Sequence, residues 1–398
     1  MTAPSPAAAA GVYLDACATS PPAPEVLEAM AAVQAQAWAN PSSLHGYGLA
    51  AAEALERARW RCAALLGCRP EGLVFTSGGS EAIHLALLGA AGALPPGRLL
   101  VSAVEHPATE AAAAALQRQG WQLQRLPVDR QGLLDPEVLE PWLEPPTRLV
   151  SLIWGQSEVG SLQPLEAIAA RCRQAGVLLH VDAVQVVGHR PLSFQELPVD
   201  LLSLAAHKLQ GPRGIGALLV RQGVALLPQI GGGGQEGGRR SGTEPVVLAA
   251  GLARALELAA ERLQRHGGSD PLAALRDAAL ESLLALPGLR LSGPDPRVSP
   301  AARLPHHLSL LVSSPEGTPV GGRQLVRELW REGYALSSGS ACSSSGSAAS
   351  PVLRALGYGE AEAASGLRLG FGPWLSAADL EGLPAALERA RQRLTTAP

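Results

Sequence analysis

An α/β fold with a mostly parallel sheet and a smaller second domain is predicted by three features of the sequence. Short apolar runs alternate with longer amphipathic stretches. The hydrophobic content is 47% over 398 residues, which suits two or three domains with full cores. Seven Trp, four Tyr and three Phe leave those cores to Leu, Val and Ala, a composition of closely packed helices on a sheet rather than of an all-β protein.

Taken in order, residues 23–38 and 49–66 carry Ala, Leu and Glu in the manner of amphipathic helices, with the turn Asn40-Pro41-Ser42-Ser43 leading into the second. Six apolar runs follow, at 73–76, 99–103, 149–154, 177–182, 201–204 and 215–220, each short enough for a buried strand. Helical patterns at 108–119 and 165–174 fill gaps between them. This alternation gives a parallel sheet covered on both faces, with ligands at the carboxyl ends of its strands. Residues 231–242, rich in glycine with two arginines, are too long and glycine-rich for a simple linker and are expected to be a mobile or ligand-facing loop. A long helix at 245–265 is followed by two further helices, a strand near 308–312 and the Ser-rich stretch 337–350. The expected division is a large domain at 14–255 and a small one at 256–398, joined by the N-terminal segment 1–13. Residues 3–10 read as a disordered Ala-rich tail, and no internal repeat is found.

Several function classes are excluded at this level. Thirty-two Lys and Arg against 35 Asp and Glu give a formal charge of −3, so no footprint for nucleic acid or an anionic membrane exists. No charge-free apolar run approaches about 18 residues, which argues against a transmembrane helix. The first cationic residue is Arg57, so the N-terminus lacks the basic start of a secretory or transit signal and a cytoplasmic home is expected. Five scattered cysteines, Cys17, Cys62, Cys68, Cys172 and Cys342, show no C-x-x-C spacing, so neither a disulfide framework nor a metal site is expected and most should be small buried residues.

Lys208 is the only lysine of the chain. In a sequence that otherwise uses arginine, a retained lysine marks a place where arginine cannot substitute, because only the amine can lose its proton and bond to a carbonyl. It sits in Ser203-Leu204-Ala205-Ala206-His207-Lys208, at the end of a predicted strand. The preceding strand ends in Asp182, with Gln185 three residues on; a carboxylate and an amide there could hold the pyridinium nitrogen and ring oxygen of pyridoxal phosphate. Asp182 alone could equally be a helix cap. Thr76-Ser77-Gly78-Gly79-Ser80 joins a strand to a helix start and offers backbone N–H groups to a phosphate, without the spacing of a Walker or dinucleotide motif. His106, in Glu105-His106-Pro107, ends another strand and could stack on a ring or shuttle protons.

These motifs together resemble the cysteine desulfurases of the class V aminotransferase family, in particular the group serving nitrogen fixation and housekeeping iron–sulfur assembly. The resemblance runs through Tyr13-Leu14-Asp15, Asn40-Pro41-Ser42-Ser43-Leu44-His45, Thr76-Ser77-Gly78-Gly79, Glu105-His106, Asp182-Ala183-Val184-Gln185, His207-Lys208, Arg240-Ser241-Gly242-Thr243, Ser337-Ser338-Gly339-Ser340-Ala341-Cys342 and Gly366-Leu367-Arg368. It implies the type I fold of pyridoxal-phosphate enzymes. Lys208 would bond covalently to the cofactor, Asp182 would pair with its ring nitrogen, Gln185 would contact its ring oxygen and His106 would stack on the ring. Gly79, Ser80 and His207 would hold the phosphate, joined by Thr243 from the other subunit of a homodimer. Arg368 would clamp the carboxylate of L-cysteine. Cys342, in its polar, flexible loop in the small domain, would take the sulfur as a persulfide and pass it to an acceptor protein.

Five positions depart from the family pattern. Gln156 and Ser157 stand where the family has two asparagines, the first touching cofactor and substrate, and Ala205 replaces a phosphate-binding hydroxyl residue. Gly237 and Pro373 replace arginines. The expected activity is conversion of L-cysteine to L-alanine with sulfur transfer to Cys342. The alternatives are a carbon–sulfur lyase acting on cysteine or cystine, which would not need Cys342, and a weakly catalytic regulatory homologue.

Overall fold

A computed structural model of the chain describes residues 11–339 and 349–395; Cys342 and the Ala-rich tail at 3–10 lie outside the described residues. Thirteen strands are present among these, beginning with β1 (Val12–Tyr13), β2 (Leu73–Thr76), β3 (Arg98–Ser102), β4 (Gln122–Leu126), β5 (Thr147–Ile153), β6 (Leu178–Asp182), β7 (Leu201–Ala205) and β8 (Gly216–Val220). Strands β2 to β8 form one seven-stranded sheet in the order β2-β8-β7-β6-β5-β3-β4. Only β8 runs against the others, so the expected mostly parallel sheet is present. Each of the six predicted runs is a strand within two residues of its expected ends. The edge strand β4 escapes prediction because its sequence, Gln-Leu-Gln-Arg-Leu, is largely polar and faces solvent on one side.

Four helices, α1 (Pro24–Gln36), α2 (Gly46–Leu66), α3 (Gly79–Gly92) and α4 (Pro107–Arg118), lead the helical layers with Leu165–Ala175 and Val246–Arg265. Helix α2 starts three residues before its predicted position, because the His45 imidazole accepts from the Gly48 amide and caps it. Leu73, Phe75, Leu100, Leu152, Leu202 and Leu204 of the sheet join Ala51, Leu55, Cys62, Leu252 and Leu256 of the helices in one core.

The C-terminal third departs further from expectation. It contains the helices Leu272–Leu284, Gly322–Arg331 and Leu383–Thr395, with shorter ones at Pro351–Ala355, Glu360–Ala364 and Ala377–Leu380, rather than two. The short pieces carry too few turns for a readable apolar period. A second sheet, in the order β12 (Ser337–Ser338), β13 (Gly366–Gly370), β10 (His307–Val312), β9 (Leu289–Leu291), is antiparallel throughout, and β11 (Tyr334–Ala335) pairs in parallel with β1. Leu14, the first residue of the expected large domain, packs into the core of this second unit.

The Gly-rich loop is anchored at Glu236, whose carboxylate receives Arg59 at 2.8 Å and the Phe75 amide at 2.9 Å. Gly237 follows at φ +64, where a glycine lies without strain.

His180, fully enclosed in the middle of the large sheet, bridges Ser151 Oγ at 2.8 Å and Ser203 Oγ at 2.9 Å. Burial pushes its imidazole down to about 3. The folded protein therefore keeps His180 neutral while the unfolded chain protonates it below about 6.5, so its contribution is complete above that pH and is lost as pH falls toward 3. Urea denaturation between pH 7 and pH 5 should show stability falling with acidity. The His180→Gln protein should lose roughly 1 kcal/mol per pH unit of that slope over this range, where the unfolded imidazole is only partly protonated at the upper end; an unchanged slope would contradict the assignment.

Candidate active site

Five strand ends meet along the carboxyl edge of the large sheet. Asp182, the last residue of β6, lies opposite Ile153 of β5 and Ser203 of β7. His207 and Lys208 follow β7 directly in a single 3-10 turn, Glu105 and His106 follow β3, and Ser77 to Gly79 follow β2. A Cβ on Gly79 would come within 2.9 Å of Val184 and 3.6 Å of Ala205, and one on Gly216 would meet the Gly78 backbone. Glycine thus allows the N-terminus of α3 to close against the ends of β6 and β7.

Asp182 is buried, with Oδ1 accepting from the Val184 amide at 3.0 Å. No helix begins there, so it closes a turn rather than capping a helix. Burial raises its carboxyl while the nearby His106 and Lys208 oppose that rise. His106 caps α4, its Nδ1 accepting from the Ala108 amide at 3.1 Å. Desolvation lowers its pKa, against the pull of Asp182 and with the push of Lys208. The ring is therefore neutral at neutral pH and is surrounded by the carboxylate and the amine.

Lys208 Nζ donates to the carbonyls of Cys17 and Ala18, both at 2.7 Å. Gln185 Nε2 donates to the same Cys17 carbonyl at 2.9 Å. His207 Nδ1 lies 3.1 Å from Thr19 Oγ1, and Ser20 Oγ donates to the His207 carbonyl at 2.8 Å. Burial, reinforced by Lys208 and Arg213, pushes the His207 imidazole down to about 4. The segment 15–20 thus lies across the site and holds three of the predicted residues. The motif Tyr13-Leu14-Asp15 points to this segment, but the contacts to Lys208 and Gln185 are made by main-chain carbonyls, which have no sequence signature.

At the start of α3, Glu81 accepts from the Ser77 amide at 2.7 Å and from Arg240 at 2.8 Å. Burial works against these bonds, yet they hold the Glu81 carboxyl below its usual value. Arg240 thereby ties the Gly-rich loop to the helix end whose first N–H groups have no intrahelical partner. Ser80 is exposed at that end, and Thr243 is exposed beyond the loop, so the chain does not fold Thr243 into its own site.

Arg368 of β13 is buried, donating to Asp15 Oδ1 at 2.9 Å and to the Ser157 carbonyl at 3.2 Å. Asp15 also accepts from Ser337 Oγ at 2.7 Å. The bridge between Asp15 and Gly370 sets this pair, since a Cβ at Gly370 would sit 2.5 Å from the Cys17 nitrogen. Gln156 behaves differently from expectation. Its amide is turned onto its own loop, accepting from Glu158 N at 2.5 Å and Val159 N at 3.0 Å and donating to the Val104 carbonyl at 3.2 Å.

Glu105 and Glu158 were assigned no role from sequence. Glu105 accepts from Ser102 Oγ at 2.5 Å and Ile153 N at 2.9 Å, joining β3 to β5 beneath the site, and burial pushes its carboxyl up to about 8. Glu158 accepts from Ser350 Oγ at 2.6 Å and is raised by burial to about 7. Cys17, Cys62, Cys68 and Cys172 are all buried, with thiols raised by desolvation to about 11 for Cys17 and about 12 for the others. None of the four is an activated nucleophile.

The donor set fits pyridoxal phosphate at each end of that molecule. A buried carboxylate suits a protonated ring nitrogen, an amine suits an aldehyde, and a helix N-terminus lined by Gly79 suits a phosphate. Among the described residues no cluster of metal-ligating side chains occurs.

Comparison with known proteins agrees with this arrangement. The chain matches the family described as aminotransferase class-V over residues 12–383. It is 36% identical to a protein named cysteine desulfurase IscS from Dictyoglomus turgidum, with 97% of this chain and 95% of that one covered. It is 40% identical to one named cysteine desulfurase from Cereibacter sphaeroides, with 96% of each covered. Among solved structures, a NifS-like protein superposes with a TM-score of 0.86 at 31% identity, covering 97% of this chain and all of that one. A structure titled SspA in complex with cysteine gives 0.78 at 30% identity, covering 92% and 99%. The carboxyl-edge lysine and aspartate, the helix end facing them and the full-length likeness place this chain in the class-V aminotransferase family, among its cysteine desulfurases.

Proposed function

We propose that the protein is a pyridoxal-phosphate-dependent cysteine desulfurase that converts L-cysteine to L-alanine and leaves the released sulfur as a persulfide on Cys342. The observation that carries this reading is the meeting of Lys208, the buried Asp182 and the N-terminus of α3 on one sheet edge. When bound, the cofactor supplies an electron sink that weakens the bonds at the substrate's α- and β-carbons.

The chain's own residues do the remainder. Lys208 is the amine that would hold the cofactor aldehyde, and its Nζ would move the proton at the substrate's α-carbon. Asp182 would pair with the ring nitrogen and favour its protonated form, Gln185 would donate to the ring oxygen, and His106 would stack on the ring. Gly79, Ser80 and His207 would hold the phosphate, His207 as a neutral donor. Arg368, oriented in advance by Asp15 and Ser157, receives the substrate carboxylate. Gln156 supports the site through its loop, and a contact to cofactor or substrate would require its amide to leave the bonds it makes to Glu158, Val159 and Val104. The Cys342 thiolate attacks the substrate sulfur; the carbon–sulfur bond breaks, the sulfur–sulfur bond forms, and the β-carbon takes up a proton to give alanine.

We also propose a homodimer in which Thr243 serves the partner's site. Trp38, Leu44, Tyr47, Leu49 and Trp60 are exposed on and before α2, with Trp38 and Tyr47 rings 5.6 Å apart, and this apolar surface suits a partner. The division into units 14–255 and 256–398, with 1–13 added to the second, is supported by the two separate cores and by the pairing of β1 with β11. A cytoplasmic location and delivery of sulfur to an acceptor protein for iron–sulfur or thio-cofactor synthesis complete the reading. No helix among the described residues is long and apolar enough to cross a membrane.

Purified protein given cysteine and dithiothreitol should produce alanine and sulfide in equal amounts, and Cys342→Ala should abolish both. Sulfide accompanied by pyruvate and surviving that substitution would instead establish a lyase.

Ala205 ends β7 with its methyl group facing Gly79, where a hydroxyl would reach the phosphate. Ala205→Ser should therefore tighten cofactor binding about fivefold, the equivalent of one added hydrogen bond of about 1 kcal/mol. Equilibrium dialysis of the cofactor measures it, and no gain would mean that the phosphate does not lie against β7.

A further inference from the structure

Behind Gln185 lies a buried polar chain that the reaction as described does not use. His306, immediately before β10, places Nε2 3.2 Å from Gln185 Oε1. Its ring stacks on His189 with centroids 3.6 Å apart and planes 10° apart. His189 Nδ1 in turn lies 2.8 Å from Asp270 Oδ2, which Arg262 also approaches at 3.3 Å. His306, His189 and Asp270 are each at most 5% exposed. The chain therefore runs from the large sheet's edge to the residues preceding the helix Leu272–Leu284.

The hydrogen-bond roles follow from the neighbours. The Cys17 carbonyl only accepts, and it receives both Lys208 and Gln185, so the amide nitrogen of Gln185 must face it and the amide oxygen must face His306. That oxygen needs a donor, which makes Nε2 the protonated nitrogen of His306. A second proton on the ring is opposed by burial and by His189, His307, Arg262 and Lys208. The His306 Nδ1 atom, buried and without a hydrogen-bond partner, carries a lone pair, which costs less to leave unpaired than an N–H.

We propose that His306, clamped by its stack on His189, is a positioning residue that locks the Gln185 amide with its nitrogen toward Cys17 and the cofactor's ring oxygen. This role rests on the reading of Gln185 given above. Without the His306 donor the Cys17 carbonyl alone holds the amide, and a turn of its oxygen toward the ring oxygen, where two acceptors repel, loses one of the two bonds that opposed it. A donor at the ring oxygen favours the deprotonated cofactor–lysine chromophore, in which that oxygen carries more negative charge. Loss of the donor therefore raises the pH at which the chromophore changes colour.

The test is a spectrophotometric pH titration of the holoenzyme. His306→Phe keeps a flat ring over His189 and removes the donor; the midpoint should rise by about half to one pH unit, the scale of one hydrogen bond. His306→Asn, which restores a donor, should stay closer to the wild type. Gln185→Leu should shift the midpoint by itself, and adding His306→Phe to it should change nothing more. An unmoved midpoint in His306→Phe, or an additive shift in the double variant, overturns the role alone. A wild-type protein with no chromophore overturns the cofactor reading and this role with it. Should His306→Phe not fold, nitrogen-15 NMR of the wild-type holoenzyme decides, with the His306 signals assigned by their loss in His306→Asn. The Nε2–H tautomer is expected, and the Nδ1–H tautomer contradicts the proposal.

Discussion

Burying the carboxyl of Asp182 at the end of a central strand is the constraint on which the rest of the site depends. Desolvation pushes that carboxyl toward its neutral form, and only His106 and Lys208 among its electrostatic neighbours pull it back. An ionised group so placed needs a cationic partner, because an uncompensated buried charge costs several kcal/mol. A protonated ring nitrogen, as proposed for the cofactor, would supply that partner. The amine follows the neighbouring strand β7 and the imidazole follows β3, on the far side of β5, and the parallel sheet makes this possible because its strands deliver their carboxyl ends to one edge.

A second demand is that the amine be held ready while it is still flexible. Main-chain carbonyls of Cys17 and Ala18 do this for Lys208, and the Cys17 carbonyl fixes Gln185 at the same time. The segment that provides them is bound on its other side to β13 through Gly370, which also positions Arg368 beside Asp15. Arg368 and the Lys208 amine are thereby referenced to the same short stretch of chain. A shift of that stretch would move both groups together, and this preserves the spacing that the reaction needs.

The large sheet and the side chains that gather at its carboxyl edge were legible in the sequence because each has a strong local signal. The buried strands are short apolar runs, and the solitary lysine stands out against an arginine-only background. Edge strand β4 was not legible, since half its side chains face water, and the short helices after residue 350 carry no measurable period. Gln156 shows a different limit: its residue type is visible, but the turning of its amide onto Glu158 and Val159 is decided by tertiary packing. His306, His189 and Asp270 are remote from one another in sequence and come together only through the packing of the two units. Cys342, read from its motif and its polar surroundings, lies outside the described residues.

The most direct test of the account is where the cofactor is attached. The holoenzyme, reduced with borohydride and digested, should yield one peptide carrying the cofactor mass, and fragmentation should place it on Lys208. Recovery of the chromophore unattached after reduction, or its attachment at any other position, would contradict the site described here.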